Sequence, residues 1–562
     1  MNSFMALPRR RQYVRRLAVA SAALWLVCPA VAQTTLDRQE QRERAQREAE
    51  ARSGQREAPD VRLGSSLPPV FRTGLPVEAH CVRIDTLRLE GAHADTFRFV
   101  QRYLDQYQGR CLGASGIQTI RARAAAILAD AGYVTTRVAL PEQAVGPGVL
   151  RFQLLPGTIG RIRAADSSWR TAFPLREGDV LNLRDIEQGL EQLKRLASQD
   201  ANVDIAPGQQ AGESDLVLTI QRGRPWHAVA TLDDTGSRST GRLQAGVNLS
   251  MDNLLRLNDL FSLGLNRNVP ASAGHGTSGM SMSYSVPKGY WLFSVALYDY
   301  AYRQTITGYL QSFQSRGKSR TADLTIQRVV HRGSHGRSAI EFRVGKRWAH
   351  SFIEDVELIT QRRHVTTAEV AFVQRQDLGH ARLDLRLARR HGVSWLGGQR
   401  DAPGLAPNAP RFGYHLNILD ASLTVPFRMG RLSAQWTSDL RAQRSAGTLY
   451  GSEFIAIGGR YTVRGFDGEQ TLAGERGWYW RNTLTLPLGA LPAAVYFGFD
   501  TGHIGGPSTP FDTPKSLSGS FVGVRASAGR FGLDAFAGWA WRGARALDSM
   551  RPATGFQLTY QL

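Results

Sequence analysis

From Trp226 to Leu562 polar and apolar residues alternate with period two, and no stretch after residue 32 reaches the ~18 consecutive apolar residues a membrane-spanning helix needs. In the segment 241–252, Leu243, Ala245, Val247, Leu249 and Met251 fall on one face, and Arg242, Gln244, Asn248, Ser250 and Asp252 on the other. Met280, Met282, Tyr284 and Val286 oppose Gly279, Ser281, Ser283 and Ser285, and in the last segment Phe556, Leu558, Tyr560 and Leu562 oppose Gly555, Gln557, Thr559 and Gln561. Strands of roughly ten residues with one apolar face, separated by turns and polar loops, are the pattern of an outer-membrane β-barrel. Lipid offers no hydrogen bonds, so a sheet within it must close on itself. At roughly 20 residues per strand and turn the region has room for about 16 strands, an even number as bacterial barrels require. A barrel of that size encloses water. A soluble β-sandwich or propeller is the rival fold, disfavoured by the export signal and by the apolar face of the last strand.

Arg9, Arg10, Arg11, Arg15 and Arg16 precede the apolar run LAVASAALWLVCPAVA, which ends in Ala30-Val31-Ala32. Residues 1–32 thus read as a signal peptide, with the exported chain starting near Gln33. Its removal leaves Cys81 and Cys111, an even pair that in an exported chain reads as a disulfide. Closing a loop of about 30 residues is worth roughly 3–4 kcal/mol in the chain-entropy model. The net charge of +21 is spread through strand-like segments rather than gathered in one patch. With export away from the cytoplasm, this argues against nucleic acid and for an aqueous surface, anionic lipid or an anionic substrate.

Between signal and barrel lie three textures. Residues 36–53 have helix-forming composition without an apolar face; the Glu-first pairs Glu40/Arg44, Glu43/Arg47 and Glu48/Arg52 each add a few tenths of a kcal/mol. A helix polar all round is surrounded by water or unstable alone. Residues 54–78 carry Pro, Gly and Ser without periodicity and read as an extended linker. Residues 79–224 repeat a strand-helix-helix-strand-strand order. The first copy runs from CVRIDTLRLEG through helices at Thr96–Gln108 and IQTIRARAAAILADAGY, where Ile117, Ile120, Ala124, Ile127 and Leu128 recur at helical spacing. Strands at VTTRVALP and GVLRFQLLPG close it. The second copy runs from IGRIRAA through helices near Trp169–Phe173 and LNLRDIEQGLEQLKRLA, capped by Asn182 or Asp185, to ANVDIAP and SDLVLTIQRG.

Catalytic patterns are absent: there is no G-x-S-x-G, H-E-x-x-H or Walker-type loop, and two cysteines suit a bridge better than a metal site. Asp500 and His503 have no nucleophile near them in sequence. No enzyme and no cofactor are expected. Three stretches stand out: the Asn/Asp-rich turn within residues 250–267, the charged strand end at 352–363, and YTVRGFDGE at 461–469, which precedes the strand segment YFGFDTG by some 30 residues.

Together these features resemble the TpsB transporters of two-partner secretion, the haemolysin secretion and activation type (ShlB/FhaC/HecB). The resemblance covers nearly the whole exported chain, in order: plug helix 33–53, linker 54–78, POTRA domain 1 at 79–157, POTRA domain 2 at 158–224 and transmembrane β-barrel 225–562. Its most specific motif is V-R-G-F, matched by Val463, Arg464, Gly465 and Phe466 in a loop implied to fold back into the lumen. The barrel-wall D-x-G is matched by Asp500 and Gly502, and the resemblance implies that Arg464 pairs with Asp500, holding the plug in place. One departure is the terminal residue, Leu562 where such barrels usually end in Phe. The resemblance implies an outer-membrane translocator whose periplasmic domains bind a large secreted TpsA-type exoprotein. Outer-membrane lipid and the barrel-assembly machinery are further implied partners. An outer-membrane assembly factor (insertase) and a passive porin are the alternatives; more POTRA units and no plug would mark the first, and a porin has no use for tandem POTRA units.

Overall fold

The computed structural model describes residue 41 and residues 44–50, 58–63, 74–144, 148–165, 167–272, 274–489, 491–509 and 514–562. The signal-peptide reading of residues 1–32 lies outside them, as do the ends of the expected polar helix and parts of the linker.

Sixteen antiparallel strands close into a barrel, the first (Trp226–Asp233) pairing with both the second (Gln244–Asp252) and the last (Ala553–Gln561). A two-residue strand, Val356–Glu357, extends one of the loops. The period-two pattern has a direct physical outcome. Val247 and Leu265, cross-strand partners, point outward and are about half exposed, which in a bilayer is contact with lipid. The opposite faces carry charge into the lumen, where acids meet the arginines. Arg343 reaches Asp323 at 2.5 Å, Arg390 reaches Glu369 at 2.7 Å, Arg386 also pairs with Glu369, and Arg441 meets Asp420 at 2.7 Å.

Two α/β units precede the barrel. In the first, Thr86–Glu90 runs parallel to Val149–Leu155, which also pairs with Arg137–Ala139. Helices Arg98–Leu104 and Ala114–Asp130 cover the sheet, burying Phe97, Leu104, Ile120, Leu128 and Phe152. The segment read as one strand, CVRIDTLRLEG, is two, because the chain bends at Asp85, where Asp85 and Thr86 both donate to the Gly148 carbonyl. Val82–Ile84 pairs instead with Arg110–Leu112, and the Cys81–Cys111 disulfide ties the residue before the first strand to the middle of the second, with Cα atoms 5.3 Å apart. In the second unit Thr158–Ala164 lies parallel to Glu213–Arg222, and Gln199–Pro207 lies antiparallel to it. Asn182 caps the helix Leu183–Lys194 by accepting from the Arg184 amide at 2.8 Å. Asp185 does not cap it; its carboxylate accepts from the Tyr290 hydroxyl on a barrel turn, and burial raises its pKa against that bond.

The second unit is docked to the barrel's short turns. Asn258, in the Asn/Asp-rich turn, donates to the Ser168 carbonyl at 2.6 Å. Arg332 reaches across to Glu191 at 2.8 Å, Gln188 at 3.1 Å and Glu187 at 3.4 Å, and Arg337 also pairs with Glu191. Linker residues 58–63 are extended, as their composition implies, yet they are pinned in this joint. Val61 and Leu63 pack on the second core, the Leu63 amide donates to Glu187 at 2.6 Å, Arg332 donates to the Val61 carbonyl at 2.8 Å, and Arg62 donates to the Ser334 carbonyl at 2.6 Å.

Truncating one member of a buried ion pair costs about 3 kcal/mol, because the other charge stays desolvated. Arg332→Ala should therefore speed hydrogen exchange at the Leu63 amide by up to about a hundredfold, whereas unchanged protection there would show that the linker is held by packing alone.

Candidate functional site in the barrel lumen

The loop between strands Leu432–Ser445 and Arg476–Pro487 turns into the barrel. A short hairpin, Ile455–Ile457 with Leu472–Gly474, forms its stem. Apolar residues fix it to the wall: Val463 and Phe466 are buried with Ile457, Leu472, Tyr479, Ile504 and Leu517. These anchors flank Arg464, so packing on both sides presses its side chain into the wall.

Asp500 waits there, on the inward face of strand Ala493–Gly505, and is 0 % exposed. Arg464 gives it three hydrogen bonds: Nε to Oδ2 at 2.7 Å, Nη2 to Oδ1 at 2.8 Å, and the backbone amide to Oδ2 at 2.9 Å. Nη2 also donates to Thr483 Oγ1 at 3.0 Å, and the guanidinium lies 3.5 Å from the centre of the Phe521 ring. A bidentate arginine–carboxylate pair with a cation–π floor is strong and directional. It also neutralises a charge that burial would otherwise make costly. Arg481, opposite Asp500 in the sheet, donates to the Tyr461 carbonyl at 3.3 Å and adds a second cation nearby.

Glycines set how closely the loop can sit. Gly465 has φ +112°, and a Cβ there would lie 2.6 Å from the Trp539 carbonyl oxygen; a Cβ on Gly519 would lie 2.3 Å from the Arg464 carbonyl oxygen. Gly538 faces the same spot, 2.7 Å from the Gly465 nitrogen by the same construction. Three bare backbones therefore meet at the tip of the loop. Gly502 lies opposite Tyr479, and a Cβ there would approach the Ile457 side chain to 3.2 Å. Sequence reading found Val463, Arg464, Gly465, Phe466, Asp500 and Gly502, but not Gly519, Gly538, Phe521 or Thr483. Small residues at alternate positions in SGSFVG and FAGWA were the only signal available.

His503 bonds to Ser516 at 2.8 Å, and Asp500 and His503, three residues apart in one strand, project from opposite faces, so they form no acid/base pair. The charged strand end at 352–363 closes on itself, with Glu357 accepting from His350 at 2.8 Å and Arg362 at 2.9 Å.

Residues 41 and 44–50 are helical and lie in the lumen. Gln41 donates to the Gly451 carbonyl at 2.9 Å, Glu48 meets Arg441 at 2.8 Å, and Arg47 stands 4.8 Å over the Tyr298 ring. Among the described residues, none of these contacts is made by Arg464 itself. The Arg464 side chain is committed to Asp500, Thr483 and Phe521 behind the loop, while the helix is met by Arg441, two strands from Asp500, by Tyr298 across the barrel and by Gly451 at the base of the loop.

Residues 212–526 match the family described as haemolysin secretion/activation protein ShlB/FhaC/HecB, residues 82–157 match a ShlB-type POTRA domain, and residues 158–207 match a POTRA domain. The chain belongs to this family. It is 37 % identical over 548 residues to the outer membrane transporter CdiB-2 of Burkholderia pseudomallei (strain 1026b), with 93 % of each chain covered. It is 28 % identical to the hemolysin transporter protein ShlB of Serratia marcescens, covering 76 % of this chain and 77 % of that one. Among solved structures, CdiB from Escherichia coli superposes with a TM-score of 0.83 at 26 % identity, covering 94 % of this chain and 98 % of that one. Like its family, the protein is an outer-membrane transporter of two-partner secretion, with its POTRA units in the periplasm.

The glycine seat yields a prediction independent of charge. Gly465→Ala adds a Cβ into the Trp539 carbonyl at a left-handed backbone position. It should loosen the loop and raise single-channel conductance in planar bilayers, although Arg464 and Asp500 are both intact; wild-type conductance would refute the seat.

Proposed function

We propose that this transporter captures a large, unfolded TpsA-type exoprotein through its periplasmic units and passes it through the lumen, with the Arg464–Asp500 pair keeping the loop in its working position. The observation that carries the reading is the loop pinned by a buried ion pair inside a barrel that also holds a helix through polar contacts. Capture is by β-augmentation. The strand Thr86–Glu90 lies at the edge of its sheet, and main-chain pairing there would place little demand on cargo sequence. In this reading the chain divides into signal peptide 1–32, plug 33–53, linker 54–78, POTRA domains 79–157 and 158–224, and barrel 225–562. Folding of the cargo outside supplies the drive, without chemistry in the chain itself. Outer-membrane lipid surrounds the barrel, which the assembly machinery inserts.

The helix favours export over an insertase, since its polar bonds to the wall suit a part that must leave an aqueous channel. Arg464→Ala should abolish secretion of the cognate exoprotein while leaving heat-modifiable, correctly inserted barrel. Exchanging the two charges, Arg464→Asp with Asp500→Arg, should restore part of it. Normal secretion by Arg464→Ala would overturn the reading.

A further inference from the structure

We propose that the outer wall of the barrel carries a binding site for the phosphorylated sugar headgroup of the outer-leaflet glycolipid, lipopolysaccharide, built by Arg267, Arg303, Arg316 and Lys318. The four cations, on three strands, line one recess of about 570 Å³ that spans five adjacent strands. Register places them on one face. One cross-strand row runs Arg267, Ser278, Ala301, Lys318, and the next runs Gly276, Arg303, Arg316, Phe352. Ser278, Ala301 and Gly276 are the small floor between the charged walls, so the recess follows from side-chain size as well as from charge.

The same alternation that turns Leu265, Met280 and Leu297 outward turns these residues outward, so the recess faces the bilayer and not the lumen. Its height is set by the strands. Arg267 and Gly276 flank one outer loop, and Arg303 and Arg316 flank the next, both on the side away from the POTRA units. Two rows deeper the wall is apolar, with Leu263, Met282, Leu297 and Ala322 in register. An occupant therefore needs acyl chains below and anionic oxygens above.

The charge is not balanced internally. Asp299 takes Arg320 at 2.6 Å and Lys318 at 3.8 Å, and Asp355 takes Arg316 at 2.7 Å. Among the described residues, Arg267 and Arg303 have no carboxylate within ion-pair distance. Five cations thus share two carboxylates. Guanidinium groups in a fixed cluster suit a phosphate, two of whose oxygens accept the parallel N–H bonds of one guanidinium. Elsewhere on the barrel, outward positions near the same rim are aromatic, with Trp478, Trp480, Trp539 and Trp541 exposed and Arg476 beside the first two.

The test uses the full-length protein in detergent and native mass spectrometry, with lipopolysaccharide, enzymatically dephosphorylated lipopolysaccharide and inorganic phosphate as separate probes. Wild-type protein should retain lipopolysaccharide at least tenfold better than the dephosphorylated form. The triple variant Arg267→Gln/Arg303→Gln/Lys318→Gln should lose that preference, while Arg389→Gln, an exposed arginine elsewhere on the wall, should keep it. Undiminished retention by the triple variant would overturn the site. Competition by millimolar inorganic phosphate alone would overturn the lipid as its occupant. Heat-dependent gel migration checks folding; should the triple variant fail it, the single variants Arg303→Gln and Arg303→Lys decide, since only the lysine preserves the charge.

Discussion

A carboxylate with no exposed surface, set in the wall of a membrane barrel, demands a cation, and Asp500 obtains one from a loop that begins on another strand. That single demand organises the lumen. It draws the loop inward, and Val463 and Phe466 flank the arginine so that apolar burial and charge pairing act on the same few residues. Because the backbone amide of Arg464 also bonds to Asp500, the main chain and not just the side chain is positioned. The glycines opposite let the two backbones meet, which keeps the pair short and dry.

The lumen as a whole is written in arginine and acid, and this sets what else can occupy it. A helix without an apolar face finds partners there in Arg441, Gly451 and Tyr298, each a contact that water could replace. The loop, by contrast, is held by a buried cluster and a desolvated pair that water replaces poorly. The two lumen elements therefore differ in how readily they leave. The periplasmic joint adds a third element, since the linker that leads to the helix is trapped between Glu187 and Arg332.

Much of the fold was legible because its signals are local. The alternation of Leu243 through Asp252 assigns faces without any knowledge of neighbours, and the helical spacing of Ile117, Ile120, Ala124 and Leu128 does the same for the periplasmic units. The pairing of Arg464 with Asp500 was legible only through a family resemblance joining two motifs some 30 residues apart. The misreadings have equally local causes. CVRIDTLRLEG looks like one strand because nothing in its alternation reveals that Gly148 will bend it at Asp85. Asp185 looks like a cap, yet the barrel's Tyr290 claims its carboxylate.

Sequence alone determined that the chain is exported, that its second part is a sheet which lipid forces to close, and which residues of each strand face out or in. It also marked Arg464 and Asp500 as charges in need of partners. Only the tertiary structure decided which strands bring Gly519 and Gly538 under the loop, which wall residues receive the polar helix, and which four outward cations share one recess. The reason is geometric. Period two settles the face of every residue, but the height at which neighbouring strands meet is set by register around the closed barrel, and these contacts depend on which residues that register brings to neighbouring heights.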